Sequence, residues 1–205
     1  AGRQDANRMN RERQALAGLT HPNVARLIDG GTTVGGSTAS GTPFLVMEYV
    51  EGDTIDRYVE LHQLSVAQRI ALVKKLCLAV QSAHQQLLIH RDIKPSNILV
   101  DKDGEPKLLD FGIARLLESD KNLDGLADLT QAGALLFTPR YASPEQVNGM
   151  PVSVATDVYG IGALLYELLA GASPYPRMAS TDTTNFAAVM RVVAEDTVGL
   201  ASGLA

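Results

Sequence analysis

Two short polar motifs, one at each end of a predicted β-hairpin, hold the residues of this sequence that are best suited to chemistry. The first motif is His90-Arg91-Asp92-Ile93-Lys94-Pro95-Ser96-Asn97, and the second is Asp110-Phe111-Gly112. Between them, apolar runs at 98–100 and 107–109 flank the turn-forming sequence Asp101-Lys102-Asp103-Gly104, which predicts a hairpin. Because a hairpin brings its two ends together, the two motifs are expected to meet in space.

The side chains of these motifs suit the transfer of a phosphoryl group. Such a transfer requires charge neutralisation and in-line positioning more than covalent catalysis. Carboxylate and amide oxygens can bind Mg2+, an ammonium group can hold the moving phosphate, and a carboxylate can take the proton of the attacking hydroxyl. The residues available for these tasks are Asp92, Lys94, Asn97 and Asp110. The alternative, a chance cluster of turn-forming residues, does not account for two motifs in this order around one hairpin.

A helix is predicted immediately before the first motif. Ser65 and Gln68 have the spacing of a capping box, and the helical face that follows comprises Ile70, Val73, Cys77, Val80 and His84. Cys77 is expected to be a small buried side chain on this face. His84 is expected at the helix surface or at the edge of the core.

A second helix is predicted well after the second motif. Residues 158–170 are apolar on nearly every side, which predicts a buried helix, with Gly171 as its C-terminal cap. Gly160 and Gly162 inside this helix indicate close backbone packing. Asp157 at its start has the position of a helix N-cap.

The first fifty residues predict one helix and two strands. Met9, Leu16 and Leu19 mark one helical face, and Glu12 lies on the same stripe, where it needs a partner; a surface pair with Arg8 is the alternative. Strands are predicted at 24–28 and 44–50. The glycine-rich segment 30–36 lacks the Gly-Lys-Ser/Thr ending of a phosphate-binding loop, so it is interpreted as a hairpin connection.

The composition predicts a soluble globular protein without bulk affinity for polyanions. The chain has 205 residues, of which 45% are hydrophobic, and a formal net charge of -5. This charge argues against a nucleic-acid partner and against attraction to an anionic membrane. A single cysteine, no apolar run long enough to span a membrane and no signal segment favour a cytoplasmic location.

The sequence HRDIKPSN followed by DFG resembles the signature of Hanks-type, eukaryotic-like serine/threonine protein kinases. The resemblance implies ATP and Mg2+ as cofactors and a protein substrate whose Ser or Thr hydroxyl accepts the γ-phosphate. It also implies that Asp92 is the base, that Lys94 holds the γ-phosphate, and that Asn97 and Asp110 bind Mg2+. His90 and Phe111 would pack with Leu16 in an internal spine, and Arg91 would pair with an activation-segment phosphate.

Other segments resemble the same family in the same order. Residues 44–50 are similar to the strand that enters the hinge, with Met47 as gatekeeper and the backbones of Glu48 and Val50 facing adenine. Leu99 matches the apolar floor beneath that base. Glu12 matches the helix glutamate that pairs with the ATP-binding lysine.

The later segments of the chain also match. Ser143-Pro144-Glu145 is similar to the end of the activation segment, and Asp157 to the buried aspartate that ties a large helix to the catalytic loop. Lys94 together with Thr138-Pro139-Arg140-Tyr141 is typical of the serine/threonine branch. Thr130 is predicted to be a regulatory phosphosite. The phrases RERQALAGLTHPNVARLIDGG and TPRYASPEQV resemble bacterial members.

The resemblance implies an α+β, bilobal protein-kinase-like fold, with a partial small β lobe in residues 1–50 and a mostly helical large lobe in residues 51–205. The glycine-rich loop over the phosphates and the strand lysine that would pair with Glu12 have no counterpart in residues 1–11. We therefore expect a domain cut short at both ends, with weak activity as an isolated piece.

A pseudokinase or docking module and a small-molecule phosphotransferase are the alternatives. A homodimer for trans-autophosphorylation is a further partner that the resemblance suggests.

Overall fold

The structure is a computed structural model, which describes residues 18–32, 43–109, 111, 139–175, 188, 191–193 and 198. The strands in this part are β1 (Leu27–Thr32), β2 (Pro43–Met47), β3 (Gly52–Thr54), β4 (Ile98–Asp101) and β5 (Pro106–Leu108). The α-helices are α1 (Ile55–Leu61), α2 (Val66–Gln85), α3 (Pro144–Val147) and α4 (Val154–Ala170), and short 3₁₀ turns occupy Pro95–Asn97 and Pro139–Tyr141. The helix predicted around Met9, Glu12 and Leu16 lies outside these residues. None of the helices in the described part is long and apolar enough to cross a membrane.

Strands β1 and β2 form a two-stranded antiparallel sheet in which Leu27 is opposite Met47 and Thr32 is opposite Pro43. This pairing agrees with a hairpin connection across the glycine-rich segment, whose residues 33–42 are not described. The predicted strand at 24–28 begins later, at Leu27, because the preceding residues pair with β5 instead. Val24 forms an isolated parallel bridge with Leu108, and Ala25 N–H donates to Leu108 O over 2.9 Å.

Strands β3, β4 and β5 form a second, three-stranded antiparallel sheet, of which β4 and β5 are the predicted hairpin. Asp101 sets the turn, since its Oδ1 accepts the N–H groups of Asp103 and Glu105, each over 2.9 Å. Gly104 has a φ of 77°, in the left-handed region that glycine adopts without strain. The hairpin prediction is confirmed, and its strand bounds differ from the predicted ones by one residue.

Helix α2 begins at the predicted capping box, in which Ser65 Oγ accepts Gln68 N–H and Gln68 Oε1 accepts Ser65 N–H. Its buried stripe is displaced from the predicted face and comprises Leu72, Val73, Leu76, Ala79, Val80 and Ala83. The expectation that Cys77 is buried is wrong, because Cys77 is exposed. Successive helical residues are about 100° apart, so Cys77 points away from a stripe centred on Leu76.

Helix α4 is capped at its N-terminus by Ser153, whose Oγ accepts Ala155 N–H over 3.2 Å, so the N-cap interpretation of Asp157 is wrong. Gly171 ends the helix with a φ of 68°, as predicted. Gly160 lies against the loop before β4, since a Cβ there would be 3.2 Å from Ile93 Cβ. A Cβ at Gly162 would have no atom within 4 Å, so close packing is found at only one of the two glycines.

One hydrophobic core joins α1, α2, α4 and the three-stranded sheet, with Ile55, Leu76, Ile98, Leu108 and Leu164 among its fully buried members. Ile93, from the loop between α2 and β4, belongs to the same core. That loop carries the first polar motif, so the core holds the motif in place through an apolar side chain within it.

Candidate active site

The carboxylate of Asp92 is held between a cation and an amide from its own loop. Asp92 Oδ2 lies 2.7 Å from Lys94 Nζ and accepts a hydrogen bond of 3.1 Å from Asn97 Nδ2. The same Asn97 Nδ2 donates to the backbone O of Asp92 over 2.9 Å. Pro95–Asn97 form a 3₁₀ turn, which returns the chain toward Asp92 so that the three side chains meet.

His90 connects this loop to Leu109, the residue that directly follows β5. The side chain is fully buried; Nδ1 accepts Asp92 N–H over 3.2 Å, and Nε2 lies 2.7 Å from Leu109 O. Since Nδ1 accepts, the proton is on Nε2, which donates to Leu109 O. Leu109 N–H in turn donates to Asn97 O over 2.8 Å. Both backbone groups of the residue before Asp110 are therefore fixed, although Asp110 itself lies outside the described residues.

Phe111 packs against the imidazole of His90, with ring centroids 4.9 Å apart and a tilted arrangement of 51°. Phe111 is buried in the main hydrophobic core. The two motifs predicted to meet around the hairpin thus contact each other through His90, Leu109 and Phe111.

Asp157 supports the loop from helix α4. Its Oδ2 accepts His90 N–H and its Oδ1 accepts Arg91 N–H, each over 2.8 Å. A third partner, His84 Nε2 from α2, lies 2.7 Å from Oδ2. The carboxylate side chain has no exposed surface, so these three groups replace the water that it loses on burial.

Arg91 has a strained backbone that its neighbours hold in place. Its φ of 70° lies in the left-handed region, which costs a non-glycine residue roughly 1–3 kcal/mol. Its N–H donates to Asp157 Oδ1, and its C=O accepts Gln146 Nε2 over 2.7 Å. Arg91 Nε is buried and has no hydrogen-bond partner among the described residues.

Helix α3 lies beside the loop and carries Glu145. The Oε1 atom of Glu145 accepts the hydroxyl of Thr156 in α4 over 2.6 Å. Burial acts to raise the pKa of Glu145, but hydrogen bonds from Thr156, its own N–H and Ser143 outweigh this, so the pKa is lowered. Thr138 and Thr130 lie outside the described residues.

Tyr141, just before α3, is tied to the C-terminal half of α4. Its hydroxyl donates to the carboxylate of Glu167, and Arg140 Nη2 is 3.8 Å from the same carboxylate. Burial, reinforced by the hydrogen bond with Glu167, raises the pKa of Tyr141 above its usual range. The segment before α3 is thus fixed to α4 by Glu167.

The segment predicted to contact adenine follows β2. Met47 is half-buried at the end of β2, and Val50 is buried in the connection to β3. Glu48 N–H donates to Arg26 O over 2.9 Å, while its Oε1 lies 2.9 Å from Lys107 Nζ. The hydrogen bond from Lys107, together with that from Arg26 N–H, lowers the pKa of Glu48.

Lys107 also connects this segment to Leu99, because Leu99 in β4 pairs with Lys107 in β5. Lys107 is therefore a neighbour of both Glu48 and Leu99. Within the described part of the chain, no hydrogen bond or ion pair joins Met47 or Val50 to Asp92, Lys94 or Asn97.

Two residues of this arrangement were not predicted from the sequence. His84 is partly buried at the edge of the core, as expected, but its contact with the buried Asp157 was not predicted. Gln146 is the second such residue, and the Ser143–Gln146 spacing is that of a second capping box. This spacing predicts where the helix begins. The contact of Gln146 with Arg91 depends on tertiary structure.

The sequence matches the family described as "Protein kinase domain" over residues 1–200. It is also similar to three bacterial proteins, across 82% of its length in each case. Identity is 38% over 170 residues to "Serine/threonine-protein kinase PknB" of Mycolicibacterium smegmatis and 37% over 169 residues to the protein of that name in Mycobacterium leprae. Identity is 38% over 169 residues to "Probable serine/threonine-protein kinase CE0033" of Corynebacterium efficiens. The chain spans about a quarter of each relative, 26%, 26% and 24% respectively.

Proposed function

The chain belongs to the protein kinase family and has its α+β fold, and on this basis we propose that it is a catalytic portion of a serine/threonine protein kinase. The reaction would transfer the γ-phosphate of ATP to a Ser or Thr hydroxyl of a protein. The names of the three relatives support this choice of hydroxyl and of a protein substrate. So does Lys94, which the sequence shares with the serine/threonine branch.

The observation that carries the proposal is the placement of Asp92 Oδ2 between Lys94 Nζ, at 2.7 Å, and Asn97 Nδ2, at 3.1 Å. A carboxylate held in this way can orient a hydroxyl and accept its proton. Lys94, beside it, can neutralise the charge of a transferred phosphate. The amide of Asn97 fixes the direction of the carboxylate.

The residues present fit a Mg2+-nucleotide. Bound Mg2+ would neutralise phosphate charge and orient the phosphates. Asn97 Nδ2 is engaged by Asp92, which leaves the amide oxygen as the atom suited to Mg2+. Asp110 is the proposed second ligand; it follows Leu109, whose N–H and C=O are bound to Asn97 and His90. For the base of ATP we propose the backbones of Glu48 and Val50, with Met47 and Leu99 as apolar neighbours.

The remaining predicted residues are assigned supporting roles. Asp157 and His90 hold the catalytic loop, and Phe111 packs on His90. The Nε of Arg91 is buried and has no hydrogen-bond partner in the part of the chain that the structure describes, which supports a role in binding an activation-segment phosphate, for which Thr130 is the proposed site. Thr138 and Glu145 would shape the end of that segment, and Glu12 would pair with the ATP-binding lysine. A cytoplasmic location and a homodimer for trans-autophosphorylation complete the proposal.

The test is Asp92→Asn in the full-length protein, with phosphate transfer from ATP to a protein substrate as the measurement. Loss of the general base should lower kcat roughly 10²- to 10⁴-fold. The matched control is Asp103→Asn, which changes an exposed carboxylate on the β4–β5 turn and should leave kcat unchanged. Full activity of Asp92→Asn would contradict the mechanism. A wild-type protein that binds ATP without transferring phosphate would favour a pseudokinase or docking module, and one that phosphorylates only small molecules would favour a small-molecule phosphotransferase.

A further inference from the structure

The catalytic loop is held at Arg91 from two sides that belong to different elements. Helix α4 supplies Asp157, which accepts Arg91 N–H. Helix α3 supplies Gln146, which donates to Arg91 C=O over 2.7 Å. The peptide groups on either side of a residue with a φ of 70° are thus bound separately, and the second of them leads directly to Asp92. Gln146 therefore acts on the orientation of the peptide that precedes the proposed base.

Gln146 can make this contact because one side chain serves two purposes. Its Oε1 accepts Ser143 N–H over 3.1 Å in the capping box, and its Nε2 is left to donate to Arg91. The residue is buried, with 8% of its surface exposed, so an unpaired carbonyl or amide at this contact would not be compensated by water. Both hydrogen bonds require an amide at this position, since a carboxylate has no donor.

The chain contains a second capping box that shows what the helix cap alone requires. Gln68 accepts Ser65 N–H over 2.9 Å at the start of α2. That side chain is exposed, and its other hydrogen bond is to Ser65 Oγ, 2.8 Å away in the same box. The two glutamines thus share the capping role and differ in two respects: Gln146 is buried whereas Gln68 is exposed, and Gln146 alone contacts the catalytic loop.

We propose that Gln146 is a positioning residue for phosphoryl transfer, which fixes the Arg91–Asp92 peptide and couples the start of α3 to the catalytic base. This role rests on the proposed function of Asp92. A displacement of α3 would move the Gln146 donor away from Arg91 O and release a strained residue next to Asp92. The catalytic loop is in this way sensitive to the position of the helix that follows the Tyr141 segment.

The test uses Gln146→Glu in the full-length protein, with Gln68→Glu as the matched control. Glutamate retains the acceptor of a capping box in both helices, but at position 146 it cannot donate to Arg91 O. We expect Gln146→Glu to lower kcat about tenfold or more with the KM for ATP unchanged, and Gln68→Glu to alter neither. In the Asp92→Asn background, Gln146→Glu should add little further loss, because its effect acts through that carboxylate.

Amide hydrogen exchange provides a readout that does not depend on activity. In Gln146→Glu the amides of His90 and Arg91 should exchange faster, while amides in the buried stripe of α2 exchange at the wild-type rate.

If Gln146→Glu fails to fold, Gln146→Met, with Gln68→Met as control, places an apolar side chain of similar size in the same buried site and removes the same donor. Wild-type kcat in a folded variant, or equal losses with and without Asp92, would overturn the inference. A wild-type protein without phosphate transfer would contradict the proposed function, and the exchange rates would then decide the role of Gln146.

Discussion

The loop that carries Asp92 and the sheet formed by β1 and β2 differ in how strongly they are held. Asp157 and Gln146 bind the loop backbone from α4 and α3, and His90 is fully buried within it. The sheet has two strands and exposes apolar side chains, including Ile28 at 57% and Phe44 at 43%. Among the described residues, its links to the rest are the partly buried Leu27 and Leu45, which pack against the main core, and contacts with β5, where the segment before β1 pairs with Leu108 and Glu48 binds Lys107.

We infer that the proposed catalytic geometry is set mainly by α3, α4 and the β4–β5 hairpin, which bind the loop directly, and less by the sheet that leads to the proposed adenine site. Substitutions beneath the loop should therefore cost most. Substitutions at the junction with the sheet should change stability little.

The largest effect is expected for Asp157→Ala. This change leaves the N–H groups of His90 and Arg91, and the ring of His84, without their buried acceptor. Loss of one partner in a buried charged network typically costs roughly 3–5 kcal/mol, and the free energy of unfolding in urea should fall by about this amount. The control, Asp53→Ala, removes the carboxylate of an exposed pair with Arg57 and should cost at most about 0.5 kcal/mol. Equal losses for the two variants would contradict the claim that Asp157 holds the loop more strongly than an exposed ion pair holds its segment.

An intermediate effect is expected from the two glycines of α4. Gly162→Ala should raise the free energy of unfolding by about 0.5–1 kcal/mol, because alanine favours helix and the site is open. Gly160→Ala should lack this gain, since its Cβ would meet Ile93 Cβ at 3.2 Å. Ile93 follows Asp92, so Gly160→Ala should also lower kcat, whereas Gly162→Ala should not. Identical stability and kcat for the two variants would show that the loop does not depend on this contact.

Local sequence signals were sufficient where neighbours in the chain determine the structure. The β4–β5 hairpin follows from its turn residues, and the start of α2 follows from Ser65 and Gln68. The meeting of the two polar motifs could also be predicted, because a hairpin joins them. For Asp157 the prediction came from the resemblance to the family, because its partners at His90 and Arg91 are more than sixty residues away.

The remaining features depend on tertiary packing. Spacing alone did not reveal which way Cys77 and Ile70 face, because neighbouring residues on one helix can be buried or exposed according to what packs there. For the same reason Gly160 and Gly162 looked equivalent in the sequence, while only Gly160 meets the loop. Gln146 resembles Gln68 in spacing, and its burial and its long-range contact with Arg91 set it apart.

The smallest effect is expected at the junction between the sheet and the hairpin, where Glu48 binds Lys107. The pKa of Glu48 is lowered in the folded protein, first by the hydrogen bond from Lys107. Its contribution to stability is therefore present above the unfolded-state pKa, about 4.3, and is lost as the pH falls through the folded-state pKa. Because Glu48 is 36% exposed, solvent screening should keep this contribution below about 1 kcal/mol.

Lys107→Met should lower the free energy of unfolding slightly at pH 7, and the difference from wild type should shrink when both are measured well below pH 4. The matched control is Lys102→Met, on the exposed β4–β5 turn, which should change stability little at either pH. If Lys107→Met instead cost as much as Asp157→Ala, the sheet would be held as firmly as the loop that carries Asp92, and the contrast between the two regions would fail. A difference from wild type that does not vary with pH would assign the effect to packing of the lysine chain instead of its charge.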